Sequence, residues 1–386
     1  MADGAALFRH QAPRPLGLYM ALLTLQQNPA QLMQFMAPAG QAGVEFLRQI
    51  GLPDLSAQAQ DFLKGVQCYR ECPVAPPRAY HTQHQWGNVQ LQLVAGPADG
   101  AAPAVLLVPS MINKGYIFDL LPDHSFARTV AAAGYRVYLL DWGAPDPTMT
   151  LDDAVAVVAQ ALAVLGPGVH LVGYCMGGLL SVAAAQLATQ ALPNAIGSLA
   201  LLATPWDFAA TTLHGWCVMN QSWAIPALQA LPVVPVDVLQ TLFALLQPFT
   251  AIERLTALVN ATPDQQARLA AIEDWLADGV PLGQQIALGC LQQWYSQNAP
   301  LRGQWQVAGV MVQPSQLPMP TWVLCPDRDV IVPKPSALAL AQQLPAAQCT
   351  VREVAAGHIG IMVGRRAPEE VFAPYVTWLY QHDKTK

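Results

Sequence analysis

This sequence has little charge. Asp, Glu, Lys and Arg supply only 11% of its 386 residues, roughly half the usual share. The net charge is −6 and no basic run is longer than Arg365–Arg366. A polyanion-binding surface is thereby excluded, and no nucleic-acid partner is expected. Pairing is absent among the cysteines: their number, seven, is odd, no CxxC occurs, and the nearest two are Cys68 and Cys72. This excludes a disulfide framework and a zinc site, and fits a reduced, cytoplasmic setting. The opening residues Met1 to Gly4 carry no basic n-region followed by an apolar core, so no secretory signal is expected. Between Ala154 and Trp206 there is no charged residue, but Gly166, Pro167, Gly168, the glycines at 173, 177 and 178, and Pro193 interrupt the run. No clean transmembrane span of about 20 residues survives. A buried parallel sheet with its packing helices has the same composition.

Apolar residues, in contrast, make up 53% of the chain, and its length suffices for one large α/β domain with an insertion or for two ordinary domains. The most informative stretch is HLVGYCMGGLL, from His170 to Leu180. An apolar strand-like run ends in Gly-x-Cys-x-Gly, and a small-residue helical run follows. That is the layout of a nucleophile elbow, a tight strand-to-helix turn that lifts one side chain above a sheet. Cys175 takes the raised place. A helix N-terminus beneath it would favour the thiolate.

Helical periodicity predicts short helices over residues 17–27, from Asn28 onward, over 41–50 and over 56–66. Residues 89–94 alternate like an exposed edge strand, and 104–108 read as a buried strand. A helix at 125–133, a strand at 135–140, a helix at 152–165 and a strand at 170–172 lead into the elbow. Residues 199–202 supply a further strand. This alternation predicts a doubly wound, mostly parallel sheet. From about 208 to 310 it gives way to a helical, low-charge insertion, expected to act as a cap. Strands at 321–324 and 349–354, with a helix at 336–343 and a terminal helix, resume it. The expected partition is 1–80 helical segment, 81–207 core, 208–310 cap and 311–386 core.

A thiol nucleophile needs a base, and the base needs an orienting group. Cys175, Asp329 and His358 stand in the chain order nucleophile, acid, histidine, which is that of α/β-hydrolase folds. Each follows a predicted strand, so all three should gather at one edge of the sheet. Asp327 follows the same strand as Asp329 and stays an alternative acid. His170 and His214 are expected to be structural or surface residues. One oxyanion donor should be the Met176 amide, the other the amide of Met111 or Ser110 after the 104–108 strand.

The runs VPSMINKGYIFDL (Val108 to Leu120), GYCMGG (Gly173 to Gly178), DVIVP (Asp329 to Pro333) and GHIG (Gly357 to Gly360) resemble polyhydroxyalkanoate synthase motifs. The short N-terminal part and DWLADGVP (Asp274 to Pro281) are closer to the two-component, short-subunit synthases. Departures are Ser110 and Val330, where family members often carry Pro and His or Asn. The resemblance implies an α/β-hydrolase fold and a polymerase acting on 3-hydroxyacyl-coenzyme A. It implies Cys175 as the acyl-bearing nucleophile, His358 as general base and Asp329 as its acidic partner. No cofactor is implied, coenzyme A arriving as the substrate thioester. Lys114, Arg328 and Arg365 are candidate contacts for its phosphates. The implied partners are the growing polyester, a second non-catalytic subunit docking on the N-terminal helices, and a further copy in a dimer. The implied location is the surface of cytoplasmic polyester granules. Two other readings stay open, a cysteine-dependent hydrolase of the same fold and a non-catalytic granule-binding protein.

Overall fold

The computed structural model describes Arg14, Tyr19 and residues 55–383 apart from 74–77, 98–99, 101, 193 and 248. The helices expected at 17–27 (except Tyr19), after Asn28 and at 41–50 therefore lie outside the described residues. By their internal contacts two units separate: Met1–Pro76 with Asp237–Asp278, and Pro77–Val236 with Gly279–Lys386.

In the first unit, helix Leu55–Glu71 packs with helices Thr250–Ala257 and Pro263–Ala277. Phe62, Tyr69, Ile252, Leu255 and Leu258 form the buried centre. Gly65 permits the close approach, since a Cβ there would lie 2.0 Å from the Leu255 carbonyl oxygen. Thr262 and Gln265 close a capping box that starts the third helix.

The second unit is built on one eight-stranded sheet. Its strands are β1 (His81–Trp86), β2 (Val89–Ala95), β3 (Ala104–Val108), β4 (Arg136–Asp141), β5 (Val169–Tyr174), β6 (Ile196–Leu202), β11 (Thr321–Pro326) and β12 (Cys349–Val354). Between β6 and β11 the two-residue pairs β7 (Val233–Val234) with β8 (Leu282–Gly283), and β9 (Gln306–Val307) with β10 (Val310–Met311), interrupt the expected all-helical insertion. Sheet order is β1-β2-β4-β3-β5-β6-β11-β12. The pairs from β4 onward are parallel, while β1–β2 and β2–β4 are antiparallel. This is the mostly parallel α/β-hydrolase architecture expected above. Residues 89–94 are not an edge, however: β2 lies between β1 and β4, and β1 is the edge strand. Strand β1 reads HTQHQW and is exposed along nearly its whole length, so no apolar alternation marks it.

Central strands are apolar throughout because helices cover both faces; Val105 to Val108 and Leu199 to Leu202 are buried. Helix Leu151–Leu165 begins in a Thr150/Asp153 capping box and stops at Gly166, whose φ of 87° no β-carbon residue adopts cheaply. Among the described residues no single helix is long and apolar enough to cross a membrane; one pair bent by 90°, Val236–Leu246 with Thr250–Asn260, passes jointly on length and composition.

Candidate active site

The parallel strands end on one edge, and the site is assembled there. Strand β5 is buried over its whole length and turns at Cys175 into helix Met176–Ala191. Cys175 has φ 55° and ψ −125°, a backbone conformation that costs a non-glycine residue about 1–3 kcal/mol. The turn is held from both sides: the Cys175 amide donates to Leu202 O at 2.9 Å, and the Gly178 amide to Cys175 O at 2.9 Å. The helix sits directly on the end of β3. A Cβ at Gly177 would lie 2.1 Å from the Val108 carbonyl oxygen and 2.7 Å from that of Pro109. Only glycine allows that approach, which is the physical content of the Gly-x-Cys-x-Gly spacing.

Strand β11 delivers Asp329 and the turn after β12 delivers His358. The Asp329 side chain is fully buried. Its Oδ1 accepts the amides of Ile331 (2.9 Å) and Val332 (2.8 Å), and its Oδ2 meets His358 Nδ1 at 2.6 Å. Asp327, the alternative acid, is 44% exposed and lies 3.9 Å from the Arg328 guanidinium. It is Asp329 that the fold brings to the imidazole. Burial disfavours a charged His358, but the Asp329 carboxylate with its hydrogen bond, and the neighbouring Cys175, outweigh it. The imidazole pKa is pushed up from 6.5 to about 10. Asp329 and His358 thus form one hydrogen-bonded chain, with Cys175 near enough to bear on the imidazole.

Three residues around this chain carried no sequence signal. Tyr174 donates its hydroxyl to the His358 carbonyl at 3.1 Å, and its ring stacks on the imidazole at 5.1 Å between centroids. Burial, then the Cys175 and Asp329 charges, keep its phenol protonated. Cys290 and Tyr295 come from the π-helical stretch Cys290–Ser296, an irregularity common at functional sites. Burial pushes both their pKa values up, and the charge of Cys175 adds to it. The bulge itself, a packing effect, has no sequence pattern.

Met176 is the first residue of the elbow helix, so its amide has no i−4 acceptor within the helix. The loop after β3 is anchored at both ends. Trp142 Nε1 donates to Pro109 O at 3.1 Å. Further along, the buried Asp119 carboxylate takes Arg128 Nε (2.9 Å), Ser125 Oγ (2.5 Å), Arg78 and Tyr80. Ser110 Oγ accepts the Ile112 amide at 3.3 Å, and Met111 is half-buried. Contact of Gly177 with Val108 and Pro109 brings this loop to the elbow.

Of the cationic candidates, Lys114 is half-buried before the Gly115–Asp119 turn. Arg328 lies beside the acid loop with its side chain 75% exposed. Arg365 is exposed after helix Gly360–Val363. The three stand on separate stretches of the chain, after β3, after β11 and after helix Gly360–Val363. His170 is buried at the start of β5, its Nδ1 2.8 Å from Ser198 Oγ, and His214 Nδ1 bonds the Tyr295 carbonyl. No cluster of metal-ligating side chains occurs among the described residues.

A family profile described as the alpha/beta hydrolase fold matches residues 103–365. Among curated proteins, the chain is 28% identical over 295 residues to the poly(3-hydroxyalkanoate) polymerase subunit PhaC of Haloferax mediterranei, covering 73% of this chain and 59% of that protein. The subunit of the same name from Allochromatium vinosum is 25% identical over 79% of this chain and 88% of its own length. That of Synechocystis is 27% identical over 71% and 77%. The chain thus spans about three fifths of the haloarchaeal relative and most of the other two.

Proposed function

We propose, on the premise that this chain belongs to the α/β-hydrolase fold family, that it is a polyhydroxyalkanoate synthase catalytic subunit. It transfers the acyl group of 3-hydroxyacyl-coenzyme A to Cys175 and extends it into polyester. The observation that carries this reading is a cysteine, not a serine, in a strained elbow beside a buried His–Asp pair. The similarity to polymerase subunits along most of the chain supports it.

In the loading step His358 takes the Cys175 proton and the thiolate attacks the thioester carbonyl. The oxyanion that forms is met by the Met176 amide and by that of Met111 or Ser110. Collapse breaks the bond to coenzyme A, whose sulfur receives the proton from His358. One thioester replaces another, so the step is nearly thermoneutral and the enzyme-bound acyl group stays activated. In the second step the 3-hydroxyl of the next 3-hydroxyacyl-coenzyme A gives its proton to His358 and attacks the Cys175 thioester. The new ester carries the coenzyme A of the incoming unit, and Cys175 leaves as thiolate to be reloaded. A raised His358 pKa suits a group that must accept protons from a thiol and from an alcohol. Asp329 holds the imidazole with Nε2 toward the thiol, and Tyr174 fixes the loop that bears it.

In this reading Lys114, Arg328 and Arg365 are candidate contacts for the coenzyme A phosphates, residues 208–310 form the cap, the N-terminal helices dock a second subunit, the chain dimerises, and it works at a granule surface. A cysteine-dependent hydrolase would share the triad, and only the fate of the acyl group separates the two. Incubation with 3-hydroxybutyryl-coenzyme A, following thiol release and product mass together, tests the proposal. High-mass polyester with coenzyme A release is expected. Release with free 3-hydroxybutyrate alone would overturn polymerisation in favour of hydrolysis.

A further inference from the structure

The run DWLADGVP ends against the loop that follows β3. Gly279 forms an isolated antiparallel bridge with Asn113, and the Val280 amide donates to the Ile112 carbonyl at 2.7 Å. Ile112 is tied on its other side too, its amide donating to Ser110 Oγ at 3.3 Å, a turn that serine makes with the amide two residues on. The stretch supplying the outer tie is itself fastened. Leu282 and Gly283 are buried and pair with β7. A Cβ at Gly283 would lie 2.4 Å from the Asp146 carbonyl oxygen, and the Gln285 amide donates to Pro147 O at 3.3 Å. Residues 279–285 thus form a strap from the loop after β3 to the loop after β4, and every one of these contacts lies within the second unit.

We infer that Val280 is a positioning residue for acyl transfer: its amide pins the Ile112 carbonyl and thereby aims the backbone donor that the loop at Ser110 and Met111 gives to the oxyanion. The inference rests on the acyl-transfer reading above and adds to it a residue outside the triad and the elbow. Peptide groups are rigid planes, and the planes of this loop are held one by one. Trp142 Nε1 holds the carbonyl of Pro109, and so the plane that carries the Ser110 amide. Ser110 Oγ holds the plane between Met111 and Ile112, and Val280 holds the next. The plane carrying the Met111 amide lies between held neighbours and takes its direction from them. An oxyanion donor is effective only when it is aimed before charge develops, so slack at Ile112 weakens it.

The test compares two reactions at one sulfur in the full-length protein. With iodoacetamide the Cys175 thiolate displaces iodide at a carbon that never becomes an oxyanion. With 4-nitrophenyl butyrate it attacks a carbonyl, an oxyanion forms, and 4-nitrophenolate leaves. The Val280 amide is replaced by an ester oxygen, which deletes the N–H and little else; Val280→Pro is the encoded counterpart. Acylation should slow about 10- to 100-fold, the scale of a misplaced donor. Alkylation, read on the Cys175 peptide by mass, should keep its wild-type rate. The same ester exchange at Gln285 loosens the strap at its other end and should leave acylation unchanged. If Val280→Pro melts early, the ester variant decides. Wild-type acylation in the Val280 ester variant overturns the inference. Equal losses of acylation and alkylation, or equal losses from the two ester variants, overturn it as well, since either makes the segment a general brace. The nitrophenyl ester asks only for acyl transfer to Cys175. Free 3-hydroxybutyrate without polyester from the wild type would therefore sink polymerisation and leave the role of Val280 standing. Polyester from the wild type with an unaffected Val280 variant would do the reverse.

Discussion

Cys175 holds its backbone at φ 55°, ψ −125°, where only glycine is at ease, and the strain is the device that lifts the sulfur above the sheet. Removing the side chain at this position therefore has two separable effects. Cys175→Ala deletes the nucleophile and keeps the strain; Cys175→Gly deletes both. We expect neither variant to form an acyl-enzyme, and the glycine variant to be the more stable by about 1 kcal/mol in thermal unfolding, strain relief exceeding glycine's entropic cost. A glycine variant less stable than the alanine one would mean the turn is unstrained. His358 gives a second prediction. Its folded pKa, about 10, stands above the ordinary 6.5, so the folded state binds the proton more tightly than the unfolded one. The resulting stability is fully present below about pH 6.5 and is lost as pH rises through about 10. The difference in urea unfolding free energy between the wild type and His358→Gln should shrink across that window. A difference that grows with pH would contradict a proton held by the Asp329 and Cys175 charges. At this scale the sequence was legible in part. Chain order identified Cys175 and His358 as candidates, but Asp327 and Asp329 follow the same strand, and only burial and the amides of Ile331 and Val332 separate them.

Elements were readable where burial imposes a pattern. Strands β3, β5 and β6 run between helix layers, so their apolar runs announced them, and β12 fell on the expected residues. Strand β1 was invisible because nothing covers it: HTQHQW has no inside. The π-helical stretch Cys290–Ser296 was invisible for another reason, as its extra residue per turn answers to packing around it and not to any propensity of its own. The elbow itself is the best case of an element whose sequence states its geometry. Gly173 and Gly177 there each face main chain and Gly178 the Thr204 side chain; of the two main-chain contacts that of Gly177 is the tighter, 2.1 Å being far inside any tolerable Cβ–oxygen distance. Because the obstacle is the main chain of Val108, no rotamer change relieves it. Gly177→Ala should push the elbow helix off the end of β3, costing about 1–3 kcal/mol. It should also lower kcat by separating the Met176 amide from the loop at Ser110 and Met111, with Cys175 still alkylated by iodoacetamide. Full turnover in that variant would place the second oxyanion donor elsewhere.

The whole chain carries an organisation that periodicity could not disclose. An amphipathic pattern tells that a helix has an apolar face but not which other helix covers it. Helix Leu55–Glu71, one of those expected to dock a second subunit, has one face already covered: its Phe62 and Tyr69 are fully buried against Ile252, Leu255 and Leu258, almost two hundred positions later in the chain. Deleting residues 2–66 would therefore remove Tyr19, Phe62 and Val66 from that unit's core and not merely a partner's foothold. A gentler perturbation tests the division itself. Gly65 sits where a Cβ would be 2.0 Å from the Leu255 carbonyl oxygen, so Gly65→Leu forces helices Leu55–Glu71 and Thr250–Ala257 apart, at a cost of about 1–3 kcal/mol. If the two units are separate cooperative bodies, the cost falls on one of them. Hydrogen exchange should quicken at the amides of both helices while β3, β5 and β6 keep their protection. Uniform loss of protection through the sheet would instead make the chain a single cooperative unit, and the Cys175 site would then share in every disturbance of the Gly65 contact.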